Sequence, residues 1–447
     1  MAGASPTRTG EIPMRKYARL PAMLLAIAVL AGGAATVSAS APTPSPSPSP
    51  APSPALSPAP SANPSPSAAP APSPAPNANP SPSAAPAPSA APEAKTTSLK
   101  LERVQFIDSE HGWTFGTSGD DKRTRVWRTT NGGSKWTESL LHDNVREASF
   151  AMANNRRGWA VGPSECREES GQTVCSKLTI LNTRNGGESW SAQWTKADPK
   201  ASADNEVAAV DSSNAFVRTG TRIWRTENGG RHWTDVSLPN NEAAPYRISF
   251  PDERTGYAAG RLGTACPGPG LVPSDSNADC RTAVWKTKDG GRHWNLLSNA
   301  PKLNGEWTPV DIQFINPRNG FLLLANPNTH GSKLYHTSNG GISWQLRNQQ
   351  IPGIRPYPVK LDFVNAKFGY VPLSVGAGPV EGGLLHTKNG GSSFAKIEDP
   401  RLVSVEDSSF LSPQDGWVVA MNPRNPSSSL LLGTTDSGRS WRDLTPK

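Results

Sequence analysis

Between residues 95 and 447 apolar and polar positions alternate in short runs, and no long window carries the i, i+3, i+4 spacing of an amphipathic helix. The runs recur. One element is an apolar strand followed, after a polar turn, by an aromatic residue that usually stands behind a glycine: VQFIDSEHGWTFG, ASFAMANNRRGWAVG, AAVDSSNAFV, ISFPDERTGYAAG, IQFINPRNGFLLL, LDFVNAKFGYVPL and SSFLSPQDGWVVA. The other is a turn of the form T-x-[DN]-G-G-x-x-W that follows each of them. Each unit therefore reads as strand A, turn, strand B, variable loop, strand C, Gly-Gly turn and strand D, which is a four-stranded antiparallel blade.

The turn places its acceptor and its aromatic residue at Asn131 and Trp136, Asn185 and Trp190, Asn228 and Trp233, Asp289 and Trp294, Asn339 and Trp344, Asn389 and Phe394, and Asp436 and Trp441. Asn and Asp tolerate a left-handed backbone and accept hydrogen bonds from nearby amides, and the glycines supply positive φ without steric cost. The indole is expected to fill the space under its own hairpin. These residues are structural, with no chemistry assigned to them. Successive aromatic positions lie 43 to 61 residues apart, the period of a propeller. The prediction is an all-β, seven-bladed β-propeller whose blades each come from one contiguous stretch, the first starting near Leu99 and the last ending at Leu444.

The turn and its flanking strands resemble the Asp-box, or BNR, repeat. The Gly-aromatic element resembles that of the photosystem II stability/assembly factor family, and the likeness covers residues 99–444. It implies an exported, non-enzymatic scaffold for protein binding or assembly, with arginines on one propeller face for docking. Sialidases, some glucanases and sortilin-type receptors share such blades, so a carbohydrate-binding or glycoside-hydrolase propeller is the alternative. Residues 246–249 (YRIS) look faintly like a sialidase motif, but Arg247 falls in register with strand A of the other blades and no Pro follows.

That register is the main candidate for chemistry. Aligning strand A puts Arg103, Glu147, Glu206, Arg247, Asp311, Lys360 and Asp407 at one position, flanked in most blades by an apolar residue. Alternation of this kind places the charges on one face of the innermost strand, around the central channel. One reading is charge pairing between blades. The other makes Arg103, Arg247 and Lys360 a basic arc for an acidic peptide or carboxylate ligand. Of the three, Arg103 and Arg247 match the family's docking arginines in kind and place.

The rest of the chain adds context. Arg15, Lys16 and Arg19 precede an apolar run from Leu20 to about Ala35 and the small residues Val37, Ser38 and Ala39, which reads as a signal segment over 1–39 with Met14 as an alternative start. Residues 40–94 are almost only Pro, Ala, Ser and Asn, a semi-rigid spacer. Secretion or a periplasmic location follows, with a tether if the segment is not cleaved. Cys166 with Cys175 and Cys266 with Cys280 are local pairs at the same point of the repeat, and two disulfides are expected in an oxidising compartment. The net charge of +8 is scattered rather than striped, which argues against nucleic acid. No metal, cofactor or nucleophile signature is present. The expected partner is a membrane or envelope protein bound by a monomer, with a glycan as the second possibility.

Overall fold

The computed structural model describes residues 98–447 apart from 120, 147, 170–171, 199–203, 240–242, 264–265, 267–279, 327, 352–359 and 376–381. The signal segment and spacer expected at 1–39 and 40–94, and Glu147, lie outside the described residues. The described strands form seven four-stranded antiparallel sheets, each in the order A-B-C-D. Among the described strands none is exchanged between the first and last blades, because the first sheet holds only 99–140 and the last only 405–443.

Closure rests on side chains packed between blades. The buried apolar residues fall into seven clusters, and each joins two consecutive blades. Within these seams an aromatic ring from strand A stacks on a ring from strand B of the preceding blade, as Phe106 does on Trp417 at 3.7 Å and Phe314 on Tyr257 at 3.3 Å. At the seam of blades 2 and 3 Ala209 takes the place of the phenylalanine, and Trp224 and Trp233 fill the volume. Each turn aromatic belongs to the seam with the preceding blade. Trp136 donates its indole N–H to the Leu444 carbonyl and Trp294 to the Val236 carbonyl, both at 2.7 Å. The indole therefore locks a blade to its neighbour, where the sequence alone placed it under its own hairpin.

The turns are built as one unit. Thr129 Oγ1 donates to Asn131 Oδ1 at 3.0 Å and accepts from Gly133 N at 2.9 Å, while Asn131 Oδ1 accepts from Lys135 N at 2.8 Å. Asp436 repeats the pattern with Thr434, Gly438 and Ser440. The left-handed backbone falls on the two glycines and not on Asn131. In the seventh turn Ser437 stands in the place of the first glycine, at φ 67°.

Strand A carries a β-bulge just before the channel-lining position in blades 1, 4, 5 and 7, between Leu101/Arg103, Pro245/Arg247, Pro309/Asp311 and Val405/Asp407. A bulge bends the strand and re-aims the next side chain. In blades 1 and 4 strand B accommodates it with glycine, where blades 5 and 7 carry Leu324 and Ala420. A Cβ on Gly116 would lie 2.0 Å from the Lys100 carbonyl oxygen, and one on Gly260 would lie 1.9 Å from that of Ala244. In those two blades the second glycine of the Gly-aromatic-x-x-Gly element is thus required by backbone approach.

Candidate partner-binding channel

The innermost strands surround a polar cavity of about 390 Å³, and Arg103, Ser149, Glu206, Arg247, Asp311, Lys360 and Asp407 all line it. Six of the seven are the charged residues picked out by the register. The seventh is a correction. Met152 pairs with Gly158 as Phe106 pairs with Gly112, which brings Ser149, not Glu147, to the ring position in blade 2. The constant six-residue step from the last strand A residue to the glycine was the signal that finds it. A ring of seven cannot alternate in sign all the way round. With Ser149 as the neutral place, acids in blades 3, 5 and 7 alternate with bases in blades 4, 6 and 1.

The alternation has a structural use. Each acid accepts a hydrogen bond from the backbone amide beside the next blade's base: Glu206 Oε2 from Ile248 at 2.9 Å, Asp311 Oδ2 from Leu361 at 2.6 Å, and Asp407 Oδ2 from Val104 at 2.9 Å. Two residues further along strand A a second set repeats the stitch. Gln105 and Gln313 each bond both the amide and the carbonyl of the next blade, at Met152 and Phe363. Ser249, Asp362 and Ser409 accept from Phe314, Phe410 and Phe106. The last of these bonds and that of Asp407 tie blade 7 to blade 1, where no shared strand does so.

The three candidate bases differ in their surroundings. Lys360 Nζ lies 2.7 Å from Asp407 Oδ1. Burial pulls its pKa down, but Asp407 and Asp362 outweigh that and raise it. Arg247 donates to the carbonyls of Val310 and Tyr246 and reaches Asp204 Oδ1 at 3.2 Å. Arg103 is exposed and forms no ion pair with a described carboxylate. It also lines an adjoining cavity of about 380 Å³ at the seam of blades 7 and 1, with Lys100, Glu102 and Glu406. The described residues bring the three bases to one channel and interleave them with carboxylates.

Sequence reasoning missed Arg218 and Arg261, both fully buried. Arg218 holds Asp204 Oδ1 at 2.8 Å, the Gly220 carbonyl at 3.1 Å and Glu206 Oε2 at 3.5 Å. Arg261 donates to Thr308 Oγ1 at 2.5 Å and lies over the Tyr246 ring. An arginine inside an apolar strand B run, as in AFVRT and GYAAGRL, was the available sign.

Burial shifts three of the channel acids upward. It raises Asp311 and Asp362, and it pushes Glu206 from 4.5 to about 7 against the opposing pull of Arg218 and Arg247. Between those two values folded Glu206 holds a proton that the unfolded chain releases. Its contribution to stability is therefore fully present below about 4.5 and is lost as pH rises through about 7. A quarter of the side chain remains open to the channel, so the effect is about 1 to 2 kcal/mol. Melting temperatures taken from about pH 5 to 8 are expected to fall less steeply for Glu206→Gln than for the parent chain; parallel curves would contradict this assignment.

Cys166 and Cys175 face each other across the long B–C hairpin of blade 2 with an S–S distance of 2.04 Å, and Cys266 and Cys280 are joined in blade 4. The blade 2 hairpin rises from the rim where strand A begins. Among the described residues no group of His, Cys, Asp and Glu is arranged to hold a metal ion.

Fold and channel together define a seven-bladed β-propeller with a charge-alternating channel mouth. No protein-family model matches the chain. Over 159 residues, 35% of this chain, it is 28% identical to the photosystem II assembly lipoprotein Ycf48 of Synechococcus sp. (strain CC9902), and the match spans 40% of that relative's length. The likeness to photosystem II assembly factors noted in the repeats is thus met again in a curated relative. Among solved structures, "YCF48 bound to D1 peptide" is 18% identical, covering 76% of this chain and 94% of that one at a TM-score of 0.49. An ulvan lyase of polysaccharide lyase family PL25, bound to its sugar, is 9% identical over 79% and 96% at a TM-score of 0.52, a likeness of fold alone.

Proposed function

We propose that this protein is an exported, non-catalytic scaffold that binds a segment of a protein partner at the channel mouth. The observation that carries the reading is the state of the charged ring. Its carboxylates are engaged by backbone amides of the next blade, and Lys360 and Arg247 are paired with Asp407 and Asp204. Arg103 alone is exposed and unpaired among the described ring residues, between two adjoining cavities. A guanidinium in that setting suits a partner carboxylate, which it can take in a two-pronged hydrogen bond. The curated relative, an assembly lipoprotein, supports an assembly role, and the two disulfides support an oxidising compartment.

The test is capture of proteins from the envelope fraction of the native host by the full chain and by Arg103→Glu. A defined membrane protein is expected to be retained by the parent and lost with the variant. The melting temperature should move by less than about 2 °C, because the residue is exposed and unpaired. Retention indifferent to the change would remove the site, and saturable binding or cleavage of a polysaccharide would put the carbohydrate reading in its place.

A further inference from the structure

On the rim opposite the channel mouth, the A–B and C–D turns carry charged side chains across the seams between blades. At the seam of blades 3 and 4, Arg225 is 5% exposed and donates to the Asp289 and Glu253 carbonyls. Glu227 lies 2.8 Å from Arg225 and 2.8 Å from Arg292. At the seam of blades 1 and 2, Arg128 reaches Glu188 at 2.7 Å and donates to the Asn185 carbonyl. At both seams a carboxylate of the chain closes the guanidinium site.

The seam of blades 2 and 3 keeps the layout and reverses the charge. By the repeat, Arg184 stands where the next seam has Glu227, Asn228 where it has Asp289, and Arg231 where it has Arg292. Asn182 takes the strand C place of Arg225, and Arg157 reaches in from the A–B turn to donate to Asn182 Oδ1 at 3.4 Å. Arg157 lies against Gly229 as Arg225 lies against Gly290. Its pKa is lowered by burial and then by the like charges of Arg184 and Arg231, so the three guanidinium groups are within electrostatic reach of one another. Arg184 and Arg231 are exposed, and none of the three forms an ion pair with a described carboxylate.

We propose that this seam binds a free phosphate monoester, whose oxygens supply the negative charge that the Glu227 carboxylate supplies at the next seam. The choice of a dianion follows from charge. The four positions sum to zero at the seam of blades 3 and 4 and to two positive charges here, and Arg157 from the A–B turn adds a third, so a single carboxylate leaves most of the excess uncompensated. A phosphate monoester carries about two negative charges at neutral pH and three acceptor oxygens, one for each guanidinium. Three guanidinium groups within electrostatic reach of one another at one seam suit a single phosphoryl group rather than an extended polyanion. The site is separate from the channel and does not depend on the function proposed for it.

Titration calorimetry of the full chain with inorganic phosphate and with glycerol phosphate, in a phosphate-free buffer of low ionic strength, tests this. One saturable site is expected for both, weakened about tenfold or more in Arg184→Glu. That variant restores the pattern of the next seam, so its melting temperature should not fall. Absence of saturable binding, equal binding by Arg184→Glu, or acetate binding as tightly as phosphate would each overturn the proposal. Sedimentation with phosphatidic acid vesicles, without binding of either free phosphate, would overturn the free ligand and assign the site to a lipid headgroup.

Discussion

Trp113→Ala is expected to lower the unfolding free energy by about 3 to 5 kcal/mol, the range for removing a buried aromatic side chain. Trp113 is fully buried in the seam of blades 1 and 2, and its indole donates to the Gly186 carbonyl of the next blade's turn at 2.7 Å. The loss therefore combines a cavity with an unsatisfied carbonyl at a joint that no shared strand reinforces. Trp113→Phe keeps most of the volume and loses the hydrogen bond, for about 1 to 2 kcal/mol plus a smaller void. Urea denaturation of both variants measures the difference, and a cost below about 1 kcal/mol for the alanine variant would show that the seam repacks around the gap.

Asp407→Ala should cost a similar amount, about 3 to 5 kcal/mol, because it removes the ion-pair partner of a partly buried cation and leaves Asp362 alone to offset it. Asp407 is 2% exposed, accepts from Val104 N and faces Lys360. Removing it takes the 2.7 Å partner from the ammonium of Lys360 and the acceptor from an amide at the joint that closes blade 7 onto blade 1. The double change Asp407→Ala, Lys360→Met should be less damaging than Asp407→Ala alone, since the cation that lost its partner is then gone. Equal costs in a double-mutant cycle would mean that the pair contributes through the backbone hydrogen bond only. Asp407→Asn, which keeps an acceptor for Val104, should fall between the parent and the alanine variant.

The two changes probe different layers of one design. Apolar seams hold neighbouring blades together at mid-radius, and side-chain-to-amide bonds hold their innermost strands together at the channel. A propeller closed by strand exchange has a ladder of backbone hydrogen bonds at its joint. This chain has instead Asp407 and Ser409 bonded to Val104 and Phe106, Ser429 bonded to Leu101, and the Phe106–Trp417 stack. The demand on individual side chains is correspondingly higher there.

The sequence by itself determined the blade count, the strand order and the residues of the turns, because those depend on local rules: a period-2 alternation, a glycine where φ must be positive, an acceptor two residues after a threonine. It also placed six of the seven ring positions, since strand A register is local to each blade. What only the tertiary structure decided is everything that one blade does to the next. Which seam a tryptophan fills, that Ser149 lines the channel in blade 2, and which of Arg103, Arg247 and Lys360 remains unpaired are set by contacts between residues some 40 to more than 300 positions apart. The reason is that a blade is a repeating local pattern, whereas the environment of a charge depends on which neighbours the closed ring brings within a few ångströms, and neither Arg218 buried beneath the rim nor the missing carboxylate beside Arg184 can be weighed until those neighbours are known.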